Sequence, residues 1–233
     1  MKEKIVGILG GMGPEATIDI FSRIVEETHA KSDEEHLRII IDNNPKMPSR
    51  QDAILKGTES PGPAMAETAR NLERAGADFI IIGANAAHYF YNDVKNAVKI
   101  PVLHIIEEAV KEAIRLVPNI KKVGVLASTA AMKSKLYHMS FSKFGIEVID
   151  VKEEMQNQIH SSIMSFKYDG ITDKNVSMMV EGANYLIDNG AECLIMGCTE
   201  IPIILKGKHF SVPLIDPNDV IAKVAVRFAK NQL

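Results

Sequence analysis

The sequence contains few of the residues that build disulfide frameworks or thiolate metal sites. Only two of its 233 residues are cysteines, Cys193 and Cys198, and there is no tryptophan. Two cysteines argue against a disulfide framework and leave a zinc site built on thiolates short of ligands. We therefore predict no metal site.

The chain also lacks an excess of positive charge and any long apolar run. A net charge of −3 gives no electrostatic reason to expect nucleic acid or an anionic membrane as a partner. No apolar run approaches the roughly 20 residues that span a bilayer. The N-terminal Met1-Lys2-Glu3-Lys4 runs directly into a strand-like segment without the pattern of a signal peptide. These absences predict a cytoplasmic protein that binds neither nucleic acid nor membrane.

Short β-branched runs alternate with longer amphipathic stretches, a pattern typical of a parallel α/β architecture. The strands predicted first along the chain are Ile5–Leu9, Leu37–Ile41, Phe79–Ile82, Ile100–Leu103 and Val123–Leu126. Four helices are predicted in the same part of the chain. One starts near Pro14, one covers Pro63–Ala75, one follows Ala87, and one follows the strand Ile100–Leu103 and runs through Ile114.

An internal repeat indicates that this unit is duplicated. Residues 76–84 align without gaps on residues 190–198 at an offset of 114, and two further strand segments align in the same order at offsets of 117 and 112. We expect two similar lobes, 1–103 with 216–233 and 104–215, each a parallel sheet flanked by helices. Ligands bind outside the carboxyl ends of parallel strands, which predicts an active site in a cleft between the lobes. The repeat places Ala84 and Cys198 at equivalent strand ends.

The string Gly10-Gly11-Met12-Gly13-Pro14-Glu15-Ala16-Thr17 follows the first predicted strand. It fits a loose dinucleotide fingerprint, but the acidic residue expected about 20 positions later is missing. We favour a tight turn whose backbone amides and following helix bind a carboxylate or phosphate, with a purely structural turn as the alternative. No cofactor is predicted.

Cys198 lies where a buried strand meets a helix, and the positive end of a helix dipole favours a thiolate there. Cys193 lies inside the strand and is interpreted as a core residue. At the other strand end, Asn85 either donates to a substrate carboxylate or caps the next helix, and His88 either orients the site or is a satisfied helix residue.

Four further residues are candidates with more than one interpretation. Arg50, in a loop after the second strand, suits carboxylate recognition, although most arginines are surface residues. Lys167 considered alone is interpreted as a surface lysine. Ser128 and Thr129 either cap a helix, bind an anion, or do both.

These strings together resemble the aspartate/glutamate racemase superfamily and, within it, the aspartate racemases. The resemblance is carried by 10–17, Asn44-Pro45 through Arg50, Asn85 with His88, 197–201 and 212–217. It implies a homodimer of two-lobed chains that racemises a dicarboxylic amino acid, aspartate or glutamate, with two cysteines and without pyridoxal. By the same resemblance, Arg50 and Lys167 hold substrate carboxylates. The remaining implied binding residues are Met12, Asn85, Ala86, Ser128, Thr129 and Thr199.

The chain departs from the resembled pattern at Ala84, where family members usually carry cysteine and sometimes threonine, and at Ala86, where they often carry threonine. Alanine has no proton to transfer, so we expect an impaired racemase that retains only Cys198. Ala84 is either an engineered replacement or a natural difference that marks other chemistry, and the former is favoured because proton transfer needs a titratable group there. Alternative functions are a single-cysteine decarboxylase or isomerase of a dicarboxylic acid, and a non-catalytic dicarboxylate-binding module.

Overall fold

Strands and helices alternate through the whole chain in the computed structural model, which describes residues 3–232 except for the side chain of Lys167. The first elements along the chain are β1 (Val6–Gly10), α1 (Pro14–Glu27), β2 (Ile39–Asn43), α2 (Arg50–Lys56), α3 (Gly62–Arg74), β3 (Phe79–Ile82), α4 (Tyr91–Lys95), β4 (Val102–Leu103) and α5 (Ile105–Leu116). The later ones are β5 (Lys122–Leu126), α6 (Thr129–Lys133), α7 (Leu136–Ser142), β6 (Glu147–Ile149), α8 (Glu153–Asp169), α9 (Asp173–Asp188), β7 (Leu194–Met196), α10 (Ile201–Ile204), β8 (Leu214–Ile215) and α11 (Pro217–Ala229). The predicted strand Phe79–Ile82 and the helix start at Pro14 are confirmed.

The elements form two compact units. The first extends to Glu108 and includes the chain from Asn218 onward, and the second is Ala109–Pro217. Each contains one four-stranded parallel sheet, with strand order β2-β1-β3-β4 in the first unit and β6-β5-β7-β8 in the second. The central strands are buried because helices cover the sheets, as a parallel sheet requires. The predicted α/β fold with two similar parallel sheets is confirmed.

Strand register repeats between the two sheets. Leu9 pairs with Ile82 in the first sheet, and Leu126 pairs with Met196 in the second. These pairs match at the offsets of 117 and 114 that the sequence repeat showed. The repeat therefore describes the pairing of strands as well as their order.

The same equivalence extends one residue beyond the paired strands. The backbone N–H of Gly83 donates to the carbonyl of Leu9 at 3.0 Å, and that of Gly197 donates to the carbonyl of Leu126 at 2.7 Å. The next residues, Ala84 and Cys198, consequently leave their sheets at equivalent points.

Within residues 3–232, no helix is long and apolar enough to cross a bilayer. Among the described side chains, no group of three histidine, cysteine or acidic residues could hold a metal ion.

Candidate active site

The glycine turn after β1 is held by its own backbone and by one threonine. Gly11 has φ +91°, and a Cβ built on it would lie 2.3 Å from the carbonyl carbon of Asn44, so only glycine fits. The Gly11 N–H donates to Thr17 Oγ1 at 2.9 Å, and that hydroxyl donates to the Gly13 carbonyl at 3.2 Å. The Gly11 amide, which the sequence offered as an anion donor, is thus bonded within the turn.

Arg50 lies against this turn, since its Nη2 donates to the Met12 carbonyl at 2.9 Å. The expectation of a loop position is wrong, because Arg50 is the first residue of α2. Ser49 caps the helix by accepting from the Asp52 N–H at 3.2 Å. Its place at the start of α2 and its bond to the Met12 carbonyl hold the Arg50 guanidinium at the carboxyl end of β1. A guanidinium suits carboxylate binding.

The end of β3 carries no proton-transfer group. Ala84 is 7% exposed and packs in one apolar cluster with Met12 and Ala87. Asn85 is also buried and precedes a 3₁₀ turn at Ala86–Phe90. Its side chain makes no capping hydrogen bond to the described residues of this turn. The capping alternative for Asn85 is therefore wrong, because the turn begins without a side-chain cap.

His88 is a buried, hydrogen-bonded histidine below this strand end. Its Nε2 accepts from the Ile105 N–H at 3.2 Å, so the proton of the neutral ring is on Nδ1, which donates to the Ala84 carbonyl at 2.9 Å. Burial, with a smaller contribution from His104, lowers the pKa of His88 to about 3. A ring that is neutral and bonded at both nitrogens supports the Ala84 backbone and is not available as an acid or base at neutral pH.

In the second unit, the segment after β5 forms a capped helix start. Ser128 is buried and accepts from the Ala131 N–H at 3.4 Å, which confirms the predicted cap. The Thr129 N–H donates to His160 Nδ1 of α8 at 3.4 Å. Gln156, one turn earlier on α8, donates through Nε2 to the Ala127 carbonyl at 2.9 Å. Two polar side chains of α8 therefore hold the carboxyl end of β5.

Cys198 lies at the end of β7 with a carboxylate beside its sulfur. The Cys198 thiol donates to Glu200 Oε2 at 2.8 Å, and the Thr199 hydroxyl donates to the same oxygen at 3.1 Å. Cys198 is partly exposed, whereas Cys193 is fully buried and burial raises its pKa to about 12. Only Cys198 combines exposure with a polar partner, and both cysteines are thiols outside any disulfide.

A buried phenol lies behind Cys198. Tyr137 of α7 is 2% exposed, and one of its ring carbons would lie 3.1 Å from a Cβ built on Gly197. Burial, followed by the charges of Asp216 and Cys198, raises the pKa of Tyr137 well above its usual value. Tyr137 is therefore a neutral phenol at physiological pH.

The predicted residues thus fall into two groups, one in each unit. The first unit brings together Met12, Arg50, Ala84 and Asn85, with Ala86 next in the chain, and the second holds Ser128, Thr129, Cys198 and Thr199. The side chain of Lys167, a residue of α8, lies outside the described residues. Sequence reasoning assigned no role to Glu200, although a carboxylate two positions after a strand-end cysteine was a usable signal.

A family model described as Asp/Glu/hydantoin racemase matches residues 9–225. The broad specificity amino-acid racemase RacX of Bacillus subtilis is 28% identical over 227 residues, which cover 95% of this chain and 96% of that protein. Among solved structures, Picrophilus torridus aspartate racemase has a TM-score of 0.84 and 27% identity, covering 97% of this chain and 94% of that one. Glutamate racemase from Francisella tularensis, solved with D-glutamate, shares the fold with a TM-score of 0.71 and 23% identity, covering 100% and 84%.

Proposed function

The chain belongs to the Asp/Glu/hydantoin racemase family, and from this premise we propose that it binds aspartate or a similar dicarboxylic amino acid and transfers a proton at the α-carbon through Cys198. The chemistry needs no cofactor in this proposal, because the thiol moves the proton. A similar protein of known structure is an aspartate racemase, which supports aspartate as the first substrate to test.

One observation carries the proposal: equivalent strand ends bear a partly exposed thiol at Cys198 and a buried methyl group at Ala84. Inversion of an α-carbon requires a base on one face of the substrate and an acid on the other. With one thiol, the chain can remove or return a proton on one face only. We therefore infer that the chain as it stands does not racemise aspartate, although it retains one of the two proton-transfer groups.

Arg50 and Lys167 are proposed to hold the substrate carboxylates. Support for Arg50 comes from its bond to the Met12 carbonyl, which fixes the guanidinium beside the glycine turn. The remaining proposed binding residues are Met12, Asn85, Ala86, Ser128, Thr129 and Thr199.

Restoring a thiol at position 84 tests the proposal. Ala84→Cys should interconvert L- and D-aspartate without added cofactor, as followed by chiral chromatography, while the unmodified chain should not. Ala86→Cys is the matched control, because it introduces the same thiol two residues beyond the strand end and should remain inactive. A folded Ala84→Cys protein that turns over neither enantiomer would contradict the racemase assignment.

A second candidate is decarboxylation or isomerisation of a dicarboxylic acid, in which a single thiol protonates a carbanion. It is favoured by the presence of alanine at both 84 and 86, which leaves the β3 end without either a thiol or a carboxylate. Release of CO₂ from substituted dicarboxylic acids, lost in Cys198→Ala, would support it. A dicarboxylate-binding module would instead bind aspartate and show neither reaction, even after Ala84→Cys.

A further inference from the structure

We propose that Glu200 is a positioning residue that keeps Cys198 protonated at neutral pH, so that in the resting protein Cys198 is a proton donor. This inference rests on the proposed function in making Cys198 the proton-transfer group. It specifies the direction in which that group works first.

The argument begins with the hydrogen bond. The thiol is the donor and Glu200 Oε2 is the acceptor at 2.8 Å, which is a short distance for a bond from sulfur. An ionised carboxylate at this distance stabilises the S–H form and opposes a second negative charge on sulfur. Thr199 donates to the same oxygen at 3.1 Å and so helps to hold the carboxylate in place.

The helix after Cys198 does not offset this charge. The sequence suggested that a helix dipole would favour the thiolate, but α10 comprises only four residues, Ile201–Ile204. Even a long helix presents roughly half an elementary charge at its N-terminus, whereas Glu200 places a full negative charge beside sulfur. The helix dipole therefore does not stabilise a thiolate at Cys198 as expected, and the Glu200 carboxylate stabilises the thiol instead.

The phenol behind Cys198 brings no positive charge to the sulfur. Tyr137 of α7 is neutral, and its pKa is raised in part by the charge of Asp216, which follows β8. From α8, His160 accepts a hydrogen bond from the Thr129 backbone, and the side chain of Lys167 lies outside the described residues. Glu200, the described carboxylate that accepts from the Cys198 thiol, disfavours a thiolate.

The matching positions of the first unit differ from Cys198 and Glu200. At the offset of 114, Ala84 matches Cys198 and Ala86 matches Glu200. The β3 end therefore lacks both the thiol and the carboxylate.

The proton balance is simple. In the Ala84→Cys protein, the thiolate at position 84 takes the α-proton, so a Cα–H bond breaks as an S–H bond forms there. The Cys198 S–H bond then breaks as a new C–H bond forms on the other face of the carbanion, which leaves a thiolate at Cys198, and the thiol at position 84 gives its proton to water. Water then returns a proton to the Cys198 sulfur, and Glu200 remains an acceptor throughout. No oxidant, reductant or additional reactant is required.

Alkylation of Cys198 by iodoacetamide tests the proposal without any substrate. The rate is measured against pH by peptide mass spectrometry, with buried Cys193 as an internal report on folding. Glu200→Gln keeps the size of the side chain but removes its charge, so the midpoint of the alkylation profile should fall by about one pH unit or more. A shift of one unit raises alkylation at pH 7 about tenfold. Glu181→Gln, which removes an exposed carboxylate from α9, should leave the midpoint unchanged.

An unchanged or higher midpoint in Glu200→Gln would overturn the proposal, and a higher one would make Glu200 an activating base. If Glu200→Gln does not fold, Glu200→Asp replaces it. The shorter side chain moves the charge away from sulfur by one methylene, so the alkylation midpoint should fall by a smaller amount. An unchanged midpoint in Glu200→Asp would also contradict the proposal. Failure here leaves the Ala84→Cys racemisation result unaffected, so the two proposals are distinguishable.

Discussion

The ends of β3 and β7 have the same backbone and different chemistry. Gly83 and Gly197 make equivalent hydrogen bonds to the neighbouring central strand, at 3.0 and 2.7 Å. Beyond them the first unit continues with alanine and asparagine, and the second with Cys198, a hydroxyl and a carboxylate. Sheet register therefore keeps the backbone equivalent at the two strand ends, whether or not a thiol is present there.

The same contrast extends to the surface. In the second unit, Asp150 accepts from Lys135 at 2.8 Å and contacts His138 at 2.9 Å. Continuing the strand register of β6 by one residue matches Asp150 to Ile41 of the first unit, which is apolar and exposed. The two units therefore share strand register but differ in polarity at this exposed position.

Removing the remaining thiol should produce the largest effect. Cys198→Ala should lower exchange of the aspartate α-hydrogen about 10³-fold, or about 4 kcal/mol, since no other group in the proposal replaces the thiol. Proton NMR in deuterated water measures the exchange. Cys193→Ala is the control, because it removes a thiol from the same strand region without touching the site. Equal decreases in the exchange rate of both variants would contradict the assignment of proton transfer to Cys198 at the end of β7.

Gly11→Ala should reduce stability by at least about 3 kcal/mol, because alanine at φ +91° would also place its Cβ against the Asn44 backbone. Urea unfolding followed by circular dichroism gives the difference. The equivalent residue in the second unit, at the offset of 117, is Ser128 with φ −65°, so the strain is specific to the first turn. A loss below about 1 kcal/mol would show that the turn relaxes easily.

His88 should make the protein less stable in acid. Its pKa is lowered to about 3 in the folded protein, so between the ordinary value of 6.5 and 3 the unfolded chain binds more protons. The stabilisation is present above about pH 7 and is lost as pH falls, by about 3 kcal/mol down to pH 4. Unfolding of His88→Asn and the parent at several pH values isolates this effect. A constant difference between them would refute the assignment of a neutral buried ring.

Ser128→Ala should have the smallest effect, a loss of about 1 kcal/mol, since it removes the cap of α6. The measurement is the same urea titration, and it provides the reference for Gly11→Ala at the equivalent position. A loss as large as that of Gly11→Ala would mean that the two turns are equally constrained.

The repeat in the sequence predicted the topology well because buried parallel strands need β-branched runs, which remain recognisable after divergence. It therefore placed Ala84 and Cys198 correctly at the ends of β3 and β7. Local pattern did not reveal that Arg50 begins a helix, because the decisive serine cap is a single residue. The bond between Cys198 and Glu200 was missed because it depends on side-chain rotamers. The dipole argument overestimated α10, whose shortness is not apparent from the string after Cys198.

The most direct test of one-faced proton transfer is hydrogen exchange by the chain with Ala84 in place. L- and D-aspartate are incubated separately in deuterated water, and loss of the α-proton signal and enantiomeric composition are both followed. We predict that one enantiomer loses its α-proton with retained configuration, while the other remains protonated. The exchange requires the minor thiolate form of Cys198 and should therefore be faster at higher pH. Exchange of both enantiomers at similar rates, or of neither, would contradict the account.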